Sequence, residues 1–400
     1  MSKDFLYFIF NAITIFFIAF WIVKIFKEYN QAENKKSFFT YERFGYVIAL
    51  SYSILLPFLL LNLTPIIEWL GLKINAKNES LNLFVSIILS FITALIWLDY
   101  ILKLDVYERE KKRYVIIIFI LGAASAFLTF PLYNLASSLG FSLNGKPLND
   151  LLYCVFGIGL IEETVKFLPI IFILWKGKVI NEPYDFILYA SVSALGFAFA
   201  ENVLYLKNRG IEIILARTFY ATVAHMTFSS TIAYGIVLYK QLKPHIFYPV
   251  FVGIFFLIAI SSHGFYNFWL LNPIVSKFSG FTTLFFLITV HIWFTMKNNL
   301  INLSNFYSEE TQINNDDIQF QLVRNLIGVV GFLYIYVGLT ENVFYANQLL
   351  YKSYYIYGYI TIYLAVNLSK YHVVKGYLKP FQVPFDIFIP KLKETKNPPQ

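Results

Sequence analysis

Charge is what this chain has least of: Asp, Glu, Lys and Arg make up only 14% of its 400 residues, against 58% hydrophobic residues and a mean hydropathy of +0.60. That scarcity excludes an ordinary soluble domain and predicts an all-α polytopic membrane protein. Cysteine is nearly absent too. Cys154 is the only one, so no intramolecular disulfide can form and the redox compartment stays open; inside an apolar run it reads as a small packing residue. Long polar linkers are also missing, which excludes a soluble domain between the apolar segments. The largest polar stretch, from about Lys297 to Asn325 with Glu309, Glu310, Asp316 and Asp317, reads as a solvated connector. No inverted repeat or matched pair of broken helices marks two halves, which argues against common transporter architectures.

Apolar windows are abundant. They lie near 5 to 26, 45 to 70, 83 to 103, 114 to 138, 151 to 175, 186 to 206, 213 to 239, 246 to 271, 278 to 296, 326 to 349 and 353 to 369, each close to the length needed to span a bilayer, which predicts about eleven crossings. Pro57 and Pro65 predict a kink or an interfacial stretch in the second window. The first is longer than a signal-peptide core and lacks a small-residue cleavage site, so it is expected to be a retained helix.

The formal charge of +8 is topological rather than a nucleic-acid signature. Lys27, Lys35, Lys36 and Arg43 fall in the first loop, Arg109, Lys111, Lys112 and Arg113 in the third, and Lys370, Lys375, Lys379, Lys391, Lys393 and Lys396 in the tail. With eleven crossings these segments share one face, which the positive-inside rule makes cytoplasmic, with the N-terminus outside. The expected setting is an integral, multi-pass protein of the plasma membrane, with lipid as a partner and nucleic acid excluded. The tail from Lys379 to Gln400 mixes Pro, Lys and aromatic residues and reads as a disordered end, with an anionic lipid surface as the other reading.

Ionisable residues interrupt four successive windows. Glu162, Glu163 and Lys166 lie in the fifth, Glu201 with Asn202 in the sixth, His225 in the seventh, and His263 with Asn267 in the eighth. A charge at bilayer depth costs on the order of 3 kcal/mol even on lenient scales, so such groups pair, face a wet cavity and carry function. On a helix Lys166 projects between the two glutamates, about 40° from one and about 60° from the other, and can pair with either. Glu201 follows a run of small residues from Ala190 to Ala200 that allows close helix approach. Ser229, four residues after His225, is placed to hold that ring's second nitrogen. His263 and Asn267, at i and i+4, share a face and combine a ligand with an amide able to bind an oxyanion. At about 1.5 Å of rise per residue all of these groups fall between about 8 and 18 Å from one face. His245, His291 and His372 lie outside this set.

The order and spacing of these elements resemble the PrsW family of intramembrane proteases, itself similar to CAAX prenyl endopeptidases and bacteriocin-processing membrane enzymes. Glu162-Glu163-Thr164-Val165-Lys166 resembles the family's EExxK element, Phe197 to Glu201 its FxxxE element, His225 the intervening histidine, and His263 to Asn267 its HxxxN element. Glu201 and Lys166 stand where the CAAX branch carries histidine and arginine, so the chain is nearer the PrsW side. The resemblance covers about residues 145 to 275 and divides the chain into N-terminal helices (1 to 145), a protease-like core (146 to 275), and C-terminal helices with a basic tail (276 to 400).

The resemblance implies hydrolysis of a peptide bond in or beside a membrane segment of a protein substrate, as when a transmembrane anti-sigma factor is clipped. The catalytic set it implies is Glu162, Glu163, Lys166, Glu201, His225, His263 and Asn267. A zinc ion held by Glu163, Glu201, His225 and His263, and a glutamate-activated water without tight metal, are both compatible with it. The rival reading is a transporter or channel using the same Glu, His and Asn residues as a proton or cation path.

Overall fold

The computed structural model describes residues 79–177, 179–278, 280–308, 315–353 and 374–379, with Val23 and Asn30. The windows expected near 5 to 26, 45 to 70 and 353 to 369 fall almost entirely outside these, as do most of the basic residues of the first loop and the tail. The described residues are helical, with short turns and no strand. The principal helices are α1 (Glu79–Lys103), α2 (Lys112–Ser125), α3 (Thr129–Ser138), α4 (Pro147–Leu152), α5 (Leu160–Trp175), α6 (Pro183–Arg209), α7 (Thr222–Leu242), α8 (Tyr248–Leu271), α9 (Gly280–Asn302) and α10 (Asn315–Thr340).

Among the described residues, seven helical stretches are long and apolar enough to cross a membrane: Ser80–Lys103, Lys112–Ser138, Pro183–Arg209, Ile211–Leu242, Tyr248–Leu271, Phe281–Asn302 and Gln321–Thr340. The protein is therefore an integral membrane protein. The expected window 151 to 175 is helical as well, but Glu162, Glu163 and Lys166 set its composition apart from the seven.

Two expectations are corrected. The window 326 to 349 is broken, because α10 stops at Thr340 and the Asn342 side chain accepts from the Tyr345 N–H at 2.9 Å, capping a new helical stretch over 343–353. The connector expected from Lys297 begins only after Asn302. Asn299 and Asn302 stay helical and use their amides to bond the backbone of Val374, Tyr377 and Lys379.

The chain forms two compact units. Among the described residues, one comprises those of 79–104, 199–221 and 315–353, the other those of 105–198, 222–308 and 374–379. In the first, Thr93 and Trp97 of α1 bond Thr218, and Tyr336 of α10 bonds Asn82. The second unit holds α2 to α5, most of α6, and α7 to α9. Its loops gather at two ends. At one, Ser304 donates to Glu182 and Tyr107 packs on Tyr307. At the other, Asp150 accepts from the backbone N–H groups of Asn144 and Gly145 and from the Asn272 amide. Pro147 opens α4 at a position where its missing N–H costs nothing, and Gly145 supplies the left-handed φ of 83° that the preceding turn needs.

Packing in this unit depends on close backbone approach. A Cβ on Gly159 would lie 2.5 Å from the Ile260 carbonyl oxygen, and one on Gly264 would lie 2.4 Å from Cα of Val155. These facing glycines set α8 against the π-helical turn Tyr153–Gly159 that leads into α5. Gly159→Ala is expected to lower stability by about 1–3 kcal/mol through forced separation of the two backbones. Thermal melts in detergent check this, and an unchanged melting temperature would refute the close approach.

Candidate active site

Three helices of the second unit deliver the site. α5 supplies Glu162, Glu163 and Lys166, α7 supplies His225 and Ser229, and α8 supplies His263. All three of the first group and both histidines are buried, with Glu163 and Lys166 at 0% exposure. Burial at this depth demands partners for every charge, and the structure provides them.

Lys166 Nζ donates to Glu162 Oε2 at 3.0 Å and to Glu163 Oε1 at 2.9 Å, which places it between the two carboxylates. It also lies 2.7 Å from His225 Nδ1 and 4.4 Å from the centre of the Phe197 ring. Glu163 is enclosed by donors. Ser229 reaches its Oε2 at 2.6 Å, and His263 Nδ1 lies 2.8 Å from Oε1. A carboxylate can only accept, so His263 carries a proton on Nδ1, and in the neutral ring the lone pair is then on Nε2. Nε2 is 3.5 Å from Glu162 Oε2. The His263 ring is stacked on Phe228 and meets His225 edge to face, with centroids 5.2 and 5.3 Å away.

Glu162, His225 and His263 each offer one ligand atom within 4.8 Å of the others. Two nitrogens and one oxygen at this spacing fit a catalytic zinc site, which keeps three protein ligands and an open position. Glu163 then stands behind His263 as the carboxylate that orients a ligating ring. One adjustment is required. With Lys166 charged, His225 Nδ1 must accept and its proton sits on Nε2, so ligation through Nε2 requires the Lys166–His225 hydrogen bond to be given up.

Ser229 serves Glu163 rather than the second nitrogen of His225. The carboxylate grouped with both histidines is Glu162, whereas sequence placed Glu163 among the ligands. Glu201 lies in the first unit, where Arg217 donates to its carboxylate and also to Asn202 at 2.5 Å. Asn267 is half-buried one turn after His263, without a hydrogen-bond partner among the described residues. One participant carried no sequence signal: Tyr133 of α3 donates to Glu162 Oε1 at 2.7 Å, and it is one of 30 tyrosines.

The segments before α5 fix the depth. Asp150 and Asn272 bond each other at one end of the unit, and Glu162 and His263 follow or precede them by twelve and nine residues. At 1.5 Å per residue both groups lie roughly 14 to 18 Å in. A π-helical turn immediately upstream is a common feature of functional helices.

Comparison with known proteins agrees with this geometry. A family model described as PrsW family intramembrane metalloprotease matches residues 110–296, a span that contains every candidate site residue together with Tyr133. Protease PrsW of Oceanobacillus iheyensis is 31% identical over 180 residues, covering 45% of this chain and 78% of the relative. Protease PrsW of Geobacillus kaustophilus is 31% identical over 175 residues, with 44% and 74% covered, and that of Clostridioides difficile is 30% identical over 202 residues, with 48% and 80% covered. No solved structure matches the chain. The similarity to these relatives over most of their length, together with the buried Glu162-Glu163-Lys166 and histidine cluster, shows that the chain belongs to the PrsW family of intramembrane metalloproteases.

Proposed function

We propose that the chain cleaves a peptide bond in or next to a membrane-embedded segment of a regulatory protein of the anti-sigma type, with the reacting water facing Glu162, His225 and His263. The observation that carries this reading is the arrangement of those three groups, which face one another while Lys166, Glu163, Ser229 and Tyr133 hold them from behind. Glu162 is assigned as the proton acceptor for the water because it is the carboxylate grouped with both histidines, with Tyr133 and Lys166 holding its two oxygens in place. Zinc bound to Glu162, His225 and His263 would lower the pKa of a water to about 7 and polarise the scissile carbonyl. Asn267 has an unengaged amide on the His263 face of α8 and is assigned to the developing oxyanion. Lys166 positions Glu162 and Glu163. The substrate enters laterally from lipid after local unwinding.

In the same reading the chain crosses the plasma membrane about eleven times, its catalytic core being the helices that carry Glu162, Glu201, His225 and His263. The loop with Arg109, Lys111, Lys112 and Arg113 is cytoplasmic, so the site opens toward the outer face.

The test is cleavage of a membrane-anchored reporter by purified protein, with metal analysis alongside and membrane-protein termini compared in cells with and without the chain. About one zinc per chain is expected, and His263→Ala should lose both zinc and cleavage. Full activity in exhaustively chelated protein would remove the metal from the mechanism, and cleavage by His263→Ala would remove the site itself. Loss in Glu201→Gln with activity kept in Arg217→Gln assigns Glu201 to the chemistry, whereas equal loss in both assigns it to their ion pair.

A further inference from the structure

Away from the site just described, the second unit buries a second set of carboxylates at the loop end where Ser304 meets Glu182. Asp105 and Glu110 come from the loop before α2, Glu182 from the residue preceding α6, and Asp185 from the first turn of α6. Asp105, Glu182 and Asp185 are 2%, 3% and 0% exposed, and each offers an oxygen within 4.8 Å of the others. Glu110 is half-buried beside them. Among the described residues no lysine or arginine pairs with any of the four.

An acidic cluster alone would say little, but the hydrogen bonding is directional. The donors to each group fall on one of its two oxygens. The backbone N–H groups of Asn181 and Glu182 both donate to Asp185 Oδ2 at 2.8 Å, and that of Glu110 donates to Asp105 Oδ2 at 2.8 Å. Tyr189 donates to Glu110 Oε2 at 2.5 Å, and Ser304 donates to Glu182 Oε2. The opposite oxygens, Asp105 Oδ1, Asp185 Oδ1 and Glu110 Oε1, are buried without any hydrogen-bond partner. Asp105 faces Glu182 and Asp185 faces Glu110 closely enough to share a proton, so what lies between them must be protons or a cation. Burial, with the charges of Glu182, Glu110 and Glu108 beside it, pushes Asp105 up to about 7.

We propose that Asp105, Glu182 and Asp185, with Glu110, form a second binding site for a hard divalent cation of the magnesium or calcium type, separate from the protease centre. Donors on one oxygen with the other left bare is the arrangement that orients carboxylate ligands, and an all-oxygen set without His or Cys selects magnesium, calcium or manganese over zinc. The bound ion ties the loop before α2 to the start of α6 and, through Glu182, to the loop after α9.

The test uses the full chain in detergent, stripped with chelator, titrated with Mg2+ and Ca2+ by calorimetry and with Mn2+ by EPR. Saturable binding of about one ion per chain is expected, together with a rise in melting temperature. Asp105→Asn and Asp185→Asn, made separately, should each weaken it by at least about tenfold. His263→Ala should leave it unchanged, which separates this ion from any metal at the protease centre. Absence of saturable binding by all three ions at millimolar concentration overturns the proposal and assigns the bare oxygens to shared protons. Binding that survives both asparagine substitutions overturns it equally, by placing the ion elsewhere.

Discussion

Glu162→Gln is expected to reduce cleavage by about 10²- to 10⁴-fold, the range for removing a positioned general base, while leaving the protein folded. The reason lies in how charge is distributed over α5. Two carboxylates share one ammonium, Lys166 lying 3.0 Å from Glu162 and 2.9 Å from Glu163. Replacing Glu162 by its neutral isostere leaves the pair Lys166–Glu163 balanced, with Ser229 and His263 still bonded to Glu163. What disappears is the carboxylate grouped with both histidines. Glu163→Gln should behave differently, because an amide has one acceptor oxygen where Ser229, His263 and Lys166 require two. It should lose stability as well as activity. Single-turnover cleavage and a detergent melt on both variants separate the roles, and a Glu162→Gln protein that cleaves at the wild-type rate would place the reacting water elsewhere.

The same chemistry explains what could be read from the residues alone. A buried charge is costly, so Glu162, Glu163 and Lys166 announced themselves in an apolar window, and the i,i+3 and i,i+4 spacing correctly placed the lysine between the glutamates. Periodicity also drew His263 to the shared face. It could not say which of two adjacent carboxylates turns toward the histidines, since neighbours on a helix differ by 100° and the choice depends on where α7 and α8 pack. Nor could it show that Ser229 would be taken by Glu163.

The features that the residues alone did not reveal have a common cause. Polar residues in the last turn of α9 were read as a loop, yet Asn299 and Asn302 remain helical by bonding the backbone over 374–379, a partner more than seventy residues away. The carboxylates of Asp105, Glu182 and Asp185 lie in a loop and at a helix start, where acids are ordinarily solvated, and nothing local signals that two segments nearly eighty residues apart bury them together. Sequence spacing sees contacts along one helix. It is blind to contacts assembled from distant turns.

Lys166→Met should have the largest effect on stability. Methionine matches the apolar stem of lysine and can still lie against Phe197, so the substitution removes the ammonium with little change in packing. It leaves Glu162 and Glu163 adjacent, buried and without their cation, and it removes the donor to His225 Nδ1. Breaking a buried pair from one side costs about 3–5 kcal/mol, a large fraction of the stability of an ordinary domain. Adding Glu162→Gln to Lys166→Met should recover part of that loss, because one of the two stranded charges is then gone and Glu163 keeps Ser229 and His263. The double-mutant cycle isolates this coupling. A Lys166→Met protein that melts like the wild type, or a double variant no more stable than Lys166→Met alone, would mean that the ammonium does not neutralise these carboxylates, and the assignment of Glu162 as the base would lose its physical basis.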